Sequence, residues 1–178
     1  MLSEGERRTA AVLVPVYRDD EGELRIVLVV RVDDGGLHGG QLGLPGGKPE
    51  PADDNLLATA LREAHEEVGL EPGTVTVLAR LDPIETQATG WLVHPFLGSV
   101  EGRTEWVTQE REVVGVLTPA VRALAEPSAR RTLPFVSLRF PEPLLVEGID
   151  VEGHVLWGMT LRLLDDVVPR LLAGEWPL

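Results

Sequence analysis

The chain has no cysteine, so neither a disulfide nor a thiolate nucleophile is available to it. It also lacks any uncharged apolar run near the roughly 20 residues that a membrane-spanning helix needs. The opening segment MLSEGERRTAAVLVPVY sets acids and arginines before a short apolar run and offers no small-residue cleavage site, so it reads as a strand and not as a signal peptide. With neither leader nor span, the expectation is a cytoplasmic protein with no membrane partner. No repeat, low-complexity tract or long linker interrupts the sequence. Basic charge is scarce as well: 16 Lys and Arg face 29 Asp and Glu, for a net charge of −13. That balance argues against nucleic acid as a general partner, because such binding rests on neutralising phosphates with Lys and Arg. An acidic chain that handles an anionic substrate needs local compensation, which divalent cations held by its own carboxylates would supply. The plainer use of the charge is solubility.

What is present suits one domain over residues 1–178. The chain is 43% hydrophobic, with mass enough for one sizeable core. Thr9–Tyr17 and Glu23–Arg31 are β-rich runs separated by a turn-like Arg18–Gly22 segment, and a glycine-rich loop follows over Gly35–Gly47. Asn55–Val68 reads as a helix, with Asp53 or Asp54 as N-cap and Gly69 as the stop. Val75–Leu81, Trp91–Val100, Val113–Leu117 and Leu133–Phe140 read as strands, and Pro119–Ala125 as a short helix. Met159–Leu172 reads as a last helix that Pro169 is expected to kink or split. Strands and helices without strict alternation give an α/β (α+β) class, a mixed β-sheet sandwiched between helices.

The chemistry gathers on the Asn55–Val68 helix. At about 100° per residue, Leu56, Leu57, Ala60, Leu61, Ala64 and Val68 share one side, and Glu63, Glu66 and Glu67 fall on the strip beside it. Carboxylates three and four residues apart repel one another by a few tenths of a kcal/mol per pair. Arg62 relieves only part of this, and a bound Mg²⁺ or Mn²⁺, which prefers oxygen ligands, would remove it. A solvated acidic face is the ordinary alternative. Against it stand the apolar stripe alongside and the loop in front, since His38–Gly47 (HGGQLGLPGG) carries far more glycine than a turn requires and implies close backbone approach. The loop is not a Walker A motif, because Pro49 follows Lys48. His65–Gly69 is not the zinc pattern H-E-x-x-H, because Gly69 stands where the second His belongs.

Pro45–Leu70 (PGGKPEPADDNLLATALREAHEEVGL) resembles the Nudix box, G-x5-E-x7-R-E-U-x-E-E-x-G-U with U aliphatic, here at about residues 46–70. Arg62, Glu63, Ala64, Glu66, Glu67, Gly69 and Leu70 match its second half, with Ala64 accepted as U. The first half departs from it: counted from Gly47, Asp53 replaces the glutamate and one extra residue precedes Arg62. The lengthened form resembles the coenzyme A pyrophosphatase branch of the Nudix hydrolases, with Glu50 and Asp53 in place of its two aspartates. His38–Gly47 resembles that branch's H-x-G-Q-[IV]-[AS]-F-P-G-G, with Gly43 and Leu44 as departures. His94-Pro95-Phe96, Glu112-Val113 and Val155–Thr160 (VLWGMT) resemble its later motifs.

The resemblance implies a Nudix fold and metal-assisted hydrolysis of coenzyme A, or its thioesters, to 3′,5′-ADP and 4′-phosphopantetheine. It also implies Mg²⁺ or Mn²⁺ as cofactor and a homodimer as one assembly. The metal ligands it implies are Glu63, Glu66 and Glu67, with the carbonyl of Gly47. Arg62 would orient a glutamate, Glu66 serves the chemistry as well as the metal, and Glu112 is the candidate base, with Glu110 its rival. His38, Gln41 and Arg31 are candidate substrate contacts, although His38 and Gln41 serve equally to order the loop. His65 falls on the opposite helix face and is expected to be exposed. Trp157 either packs the last helix or offers a platform to adenine, and Glu85 and Thr86 lie where substrate selection would occur. The alternatives are a Nudix hydrolase of ADP-ribose, NADH or a dinucleoside polyphosphate, and a nucleotide sensor without turnover.

Overall fold

The computed structural model describes residues 8–36, 38–87, 89–101, 105–109 and 111–178; residues 1–7, at the start of the segment read for a leader, and Glu110 lie outside them. Among the described residues, twelve strands and three α-helices follow in the order β1 (Thr9–Arg18), β2 (Leu24–Ile26), β3 (Leu28–Arg31), β4 (Leu42–Gly43), β5 (Gly46–Gly47), α1 (Leu56–Val68), β6 (Val75–Arg80), β7 (Ile84–Glu85), β8 (Leu92–Val100), β9 (Val113–Leu117), α2 (Val121–Ala125), β10 (Arg130–Phe135), β11 (Leu144–Val151), β12 (His154–Trp157) and α3 (Gly158–Leu172). The main sheet runs β2-β1-β8-β6, with β5 added to β1 and β7 to β8. Its β1–β8 pair is parallel and the others are antiparallel, which makes the sheet mixed. Two antiparallel three-stranded sheets, β4-β3-β9 and β10-β11-β12, complete the fold.

Alternation along β1 builds the layers. Val12, Val14 and Val16 pack with Leu161, Leu164, Val167 and Leu171 of α3, while Ala11 and Leu13 pack with Ala60, Ala64 and Val68 of α1. Side chains of period two thus feed two cores, one on each face of the sheet. Each fully buried Val or Leu contributes about 1.5–3 kcal/mol relative to exposure. The helices cover opposite faces, so the sheet lies between them.

Several sequence expectations need correction. Glu23–Arg31 is two strands: Val27 donates to the Pro15 carbonyl at 2.9 Å and separates β2, which pairs with β1, from β3, which pairs with β9. The strand expected over Leu133–Phe140 begins earlier and ends at Phe135, because its pairing with β11 runs from Arg130–Ile149 to Phe135–Leu144. Pro169 does not split α3, which continues to Leu172. It sits in the last turn, so only three helical residues follow the hydrogen bond it cannot donate. The N-cap of α1 is Asn55, whose side chain accepts from the Ala58 N–H at 3.0 Å, and Gly69 ends the helix in the left-handed region at φ 67°.

Candidate functional site

The glycine-rich loop is docked at both ends. Gln41 and Gly40 exchange backbone hydrogen bonds with Arg31 of β3 at 3.0 and 3.2 Å, and the Pro45 carbonyl accepts from Leu13 of β1 at 2.9 Å. Two of its glycines are there for space. A Cβ on Gly46, at φ 159°, would strike the Ala11 carbonyl and lie 2.6 Å from Val12 Cγ1. A Cβ on Gly47 would occupy the Glu63 carboxylate. Backbone therefore replaces side chain where β5 meets β1 and, at Gly47, α1, and the Gly46 N–H donates to Glu67 Oε2 at 2.9 Å.

Opposite this strip, carboxylate oxygens of Glu63, Glu67 and Glu112 all lie within 4.8 Å of one another. Glu67 is 1% exposed, in the place an apolar residue would take three after Ala64 and seven after Ala60. Burial pushes its pKa up to about 7, against the opposing pull of Arg31 and the Gly46 N–H, and Glu63 and Glu112 raise it further. Glu63 is also pushed up by burial, although Arg62 pulls it down. Glu112 is exposed and comes from outside the helix. The segment that carries it is pinned to the end of α1 by Val107 N–H to the Val68 carbonyl at 3.2 Å and Gln109 N–H to the Glu67 carbonyl at 3.3 Å. Three acids in one spot, one of them desolvated, repel one another until a cation joins them. The donor set is all oxygen and has a glycine backbone alongside, so it fits a hard divalent ion such as Mg²⁺ or Mn²⁺.

Two arginines frame the cluster. Arg62 reaches Asp53 at 3.0 and 3.1 Å, Glu63 and Glu66 at 3.1 Å, and the Lys48 carbonyl at 3.0 Å. It is committed to the protein on every side. The Arg62 guanidinium, helped by the Glu50 N–H and the Thr59 hydroxyl, holds Asp53 at about 2. Arg31, expected to meet substrate, points at Glu67 Oε1 at 3.4 Å and at the carbonyls of Leu44 and Gly46 at 3.5 and 3.4 Å.

The other expected residues spread outward. Glu66 is ion-paired with Arg62, its side chain 46% exposed, and is outside the close group of three. His38 Nδ1 and Gln41 Oε1 are 3.3 Å apart at the far end of the loop. Trp157 stacks at a tilt on Phe135, with ring centroids 5.1 Å apart and its Nε1 buried with no hydrogen-bond partner among the described residues. Thr160, three residues on, has its hydroxyl 3.8 Å from where a Gly43 Cβ would stand, so the closing W-G-M-T stretch meets the glycine loop. Thr86 braces its own turn, accepting from the Trp91 N–H at 2.9 Å. Sequence reasoning missed two parts of the frame: Asp53 as the anchor of Arg62, and Arg31 as the partner of Glu67. The signal for the second was present, since an acid in the apolar stripe of a helix demands a cation from an adjoining element.

Comparison with known proteins accords with this geometry. Residues 7–136 match the family model of the NUDIX domain. A protein of Yersinia pestis, "Uncharacterized Nudix hydrolase NudL", is 39% identical over 164 residues, spanning 88% of this chain and 76% of that one. "Nudix hydrolase 22, chloroplastic" of Arabidopsis thaliana is 34% identical over 163 residues, and the match spans 88% of this chain but only 53%, about half, of that relative. Among solved structures, the NUDIX domain of Shewanella oneidensis NrtR complexed with ADP ribose has a TM-score of 0.60 at 16% identity, covering 96% of this chain and 99% of that one. A Caenorhabditis elegans Ap4A hydrolase binary complex has a TM-score of 0.54 at 17% identity, covering 65% and 82%. These two share the fold. The helix, its glycine strip and the matching relatives lead to one statement: the chain belongs to the Nudix hydrolase family, whose enzymes act on phosphoric anhydride bonds.

Proposed function

We propose that the protein hydrolyses the diphosphate of coenzyme A or its thioesters, releasing 3′,5′-ADP and 4′-phosphopantetheine. The observation that carries the hydrolytic part is the convergence of Glu63, Glu67 and Glu112 within 4.8 Å beside a glycine backbone. Glu63, Glu67 and Glu66, with the Gly47 carbonyl, would hold Mg²⁺ or Mn²⁺. When bound, such ions lower the pKa of water and neutralise charge on phosphoryl oxygens. Glu112, exposed to solvent and adjoining the other two carboxylates, would take the proton of the attacking water. The water oxygen bonds to one phosphorus while the bond from that phosphorus to the bridging oxygen breaks, and the leaving phosphate departs as an anion. Arg62 fixes Glu63 and Glu66 in place and has no donor to spare for substrate. Arg31 holds Glu67 and the loop carbonyls in register.

The support for coenzyme A is the meeting of the W-G-M-T stretch with the glycine loop, at Thr160 and Gly43, because both stretches resemble the same branch. The rival substrates are those in the names of the fold neighbours, ADP ribose and Ap4A, together with NADH. A binding protein without turnover is the rival of another class. Incubation with Mg²⁺ or Mn²⁺ and coenzyme A, ADP-ribose, NADH or diadenosine polyphosphates, followed by chromatography, separates them. Release of 3′,5′-ADP from coenzyme A is the expected result. Turnover of ADP-ribose with none of coenzyme A overturns the substrate, and tight binding without turnover of any overturns the enzyme.

A further inference from the structure

Gly43 is buried, yet the space beside it is not filled. A Cβ built there has, besides its chain neighbours, only two atoms of the described residues within 4 Å: Arg31 Nε at 3.6 Å and Thr160 Oγ1 at 3.8 Å. Each carries a hydrogen to donate. The hydrogen bonds of Arg31 to Glu67 and to the Leu44 and Gly46 carbonyls run from Nη1 and Nη2, so Nε takes no part in them. Thr160 is 7% exposed, and its hydroxyl has no hydrogen-bond partner among the described residues. It stands in the first turn of α3, which opens at Gly158 with no side-chain cap. A helix leaves its first N–H groups without intrahelical partners, and its dipole is positive at that end. Three stretches from distant parts of the chain, β3, β4 and α3, thus enclose a recess lined by donors.

A buried helical Thr ordinarily satisfies itself on the carbonyl four residues back, as Thr59 of α1 does on Asn55 at 3.4 Å. Thr160 forgoes that bond, and an unpaired hydroxyl in a nearly closed space weakens the fold unless something else accepts from it. A donor-lined recess at a helix N-terminus beside a guanidinium suits an acceptor that bears negative charge. Its closure narrows the choice further. With Gly43 and Thr160 both buried, the recess admits the end of a ligand and not its middle. A phosphomonoester ends in three free oxygens and meets that condition, whereas a diphosphate joined on both sides does not. Arg31 ties the recess to the carboxylates, because a single guanidinium separates it from Glu67.

We infer that the recess beside Gly43, lined by Arg31 Nε, the Thr160 hydroxyl and the start of α3, takes the phosphate on the ribose of the substrate. The inference rests on the coenzyme A reading above and names the group that sets coenzyme A apart, a monoester that ADP-ribose, NADH and Ap4A lack. Steady-state kinetics with coenzyme A and 3′-dephospho-coenzyme A test it in wild type, Thr160→Val, Thr160→Ser and Gly43→Ala, with calorimetric titration of 3′,5′-ADP and 5′-AMP into the same proteins. Wild type is expected to prefer coenzyme A in kcat/KM by about tenfold or more. Thr160→Val keeps the shape, loses the donor, and should cut that preference about five- to tenfold through KM, while Thr160→Ser retains it. Gly43→Ala meets only ordinary contacts, sets a methyl in the recess and should cut the preference as far. Melting without ligand tells a binding hydroxyl from a structural one. Thr160→Val should melt no lower than wild type, because the methyl replaces a group without a partner; a clear fall gives the hydroxyl to the fold and overturns its role here. Equal kcat/KM for the two substrates in wild type overturns the recess, and so does a preference that survives in either Thr160→Val or Gly43→Ala. If Thr160→Val does not fold, Gly43→Ala decides. If wild type cleaves neither substrate, the coenzyme A reading fails on its own. The titration then rules: 3′,5′-ADP bound more tightly than 5′-AMP by wild type but not by the variants keeps the recess, and any other pattern removes it.

Discussion

Asp53, just ahead of α1, and Glu67, near its end, are carboxylates in opposite conditions. Asp53 accepts two hydrogen bonds from Arg62, one from the Thr59 hydroxyl at 2.9 Å and one from the Glu50 N–H at 2.8 Å, and is held at about 2. Glu67 is more deeply placed, has Arg31 at 3.4 Å and one backbone N–H, faces two further acids, and is pushed up to about 7. The protein completes the acid that builds the frame and leaves incomplete the acid beside the proposed cation. The tension in an otherwise consistent fold marks the place of work.

The largest expected effect breaks the tense side. Glu67→Gln should lower kcat by at least roughly a thousandfold, equivalent to about 4 kcal/mol of transition-state stabilisation, with the circular dichroism spectrum unchanged. Near-normal turnover would show that Glu67 is only a packing residue. The second effect is on stability without metal. Glu67 keeps its proton in the folded chain to about pH 7 but loses it near pH 4.5 when unfolded. The folded state therefore holds the extra proton between those values, and its advantage drains away as pH rises through them. In chelator, the melting temperature should fall from pH 5 to pH 8, by at most about 3 kcal/mol in unfolding free energy, and Mn²⁺ should restore most of it at the higher pH. A flat profile, or an equal one in Glu67→Gln, would contradict the desolvated carboxylate.

The contrast also explains what could be read from the amino acids alone. The helix, its glycine stop and its three glutamates followed from period and spacing, because local chemistry determines them. Strand Val113–Leu117 was legible for the same reason. Neighbours far apart in the chain were not. Asp53 or Asp54 was read as the cap because acids favour that position, but the guanidinium nine residues later takes Asp53, and Asn55 caps instead. That Arg31 meets Glu67, 36 residues away, shows only in the fold. The grading of the glutamates, with Glu67 inside and Glu66 outside, depends on how α1 rolls against β1, which no helical wheel can fix. Leu144–Val151 passed unread as a strand, since exposed Leu144 and Leu145 blur its alternation.

Breaking the satisfied side should cost less and cost something different. Asp53→Asn removes the charge that Arg62 leans on but keeps most of the shape. Unfolding free energy should drop by about 1–2 kcal/mol, read as roughly 5 °C in melting temperature, with a loss of turnover well below that of Glu67→Gln. A collapse of activity as deep as that of Glu67→Gln would mean that the frame and the reacting groups cannot be separated.

The smallest effect lies on the outer face of the same helix. His65 Nδ1 is 3.4 Å from Glu71 Oε1, with the two side chains 47% and 65% exposed. Water screens such a pair and side-chain entropy opposes it, so its worth is below about 0.5 kcal/mol. His65→Gln should keep wild-type kcat and KM and shift the melting temperature by no more than about 2 °C, measured by steady-state kinetics and calorimetry. Its neighbours Ala64 and Glu66 face the core and Arg62, so this substitution asks whether one step around the helix is enough to leave the site. Lost turnover would extend the reactive surface across α1, and the contrast between completed and uncompleted acids would no longer suffice to locate it.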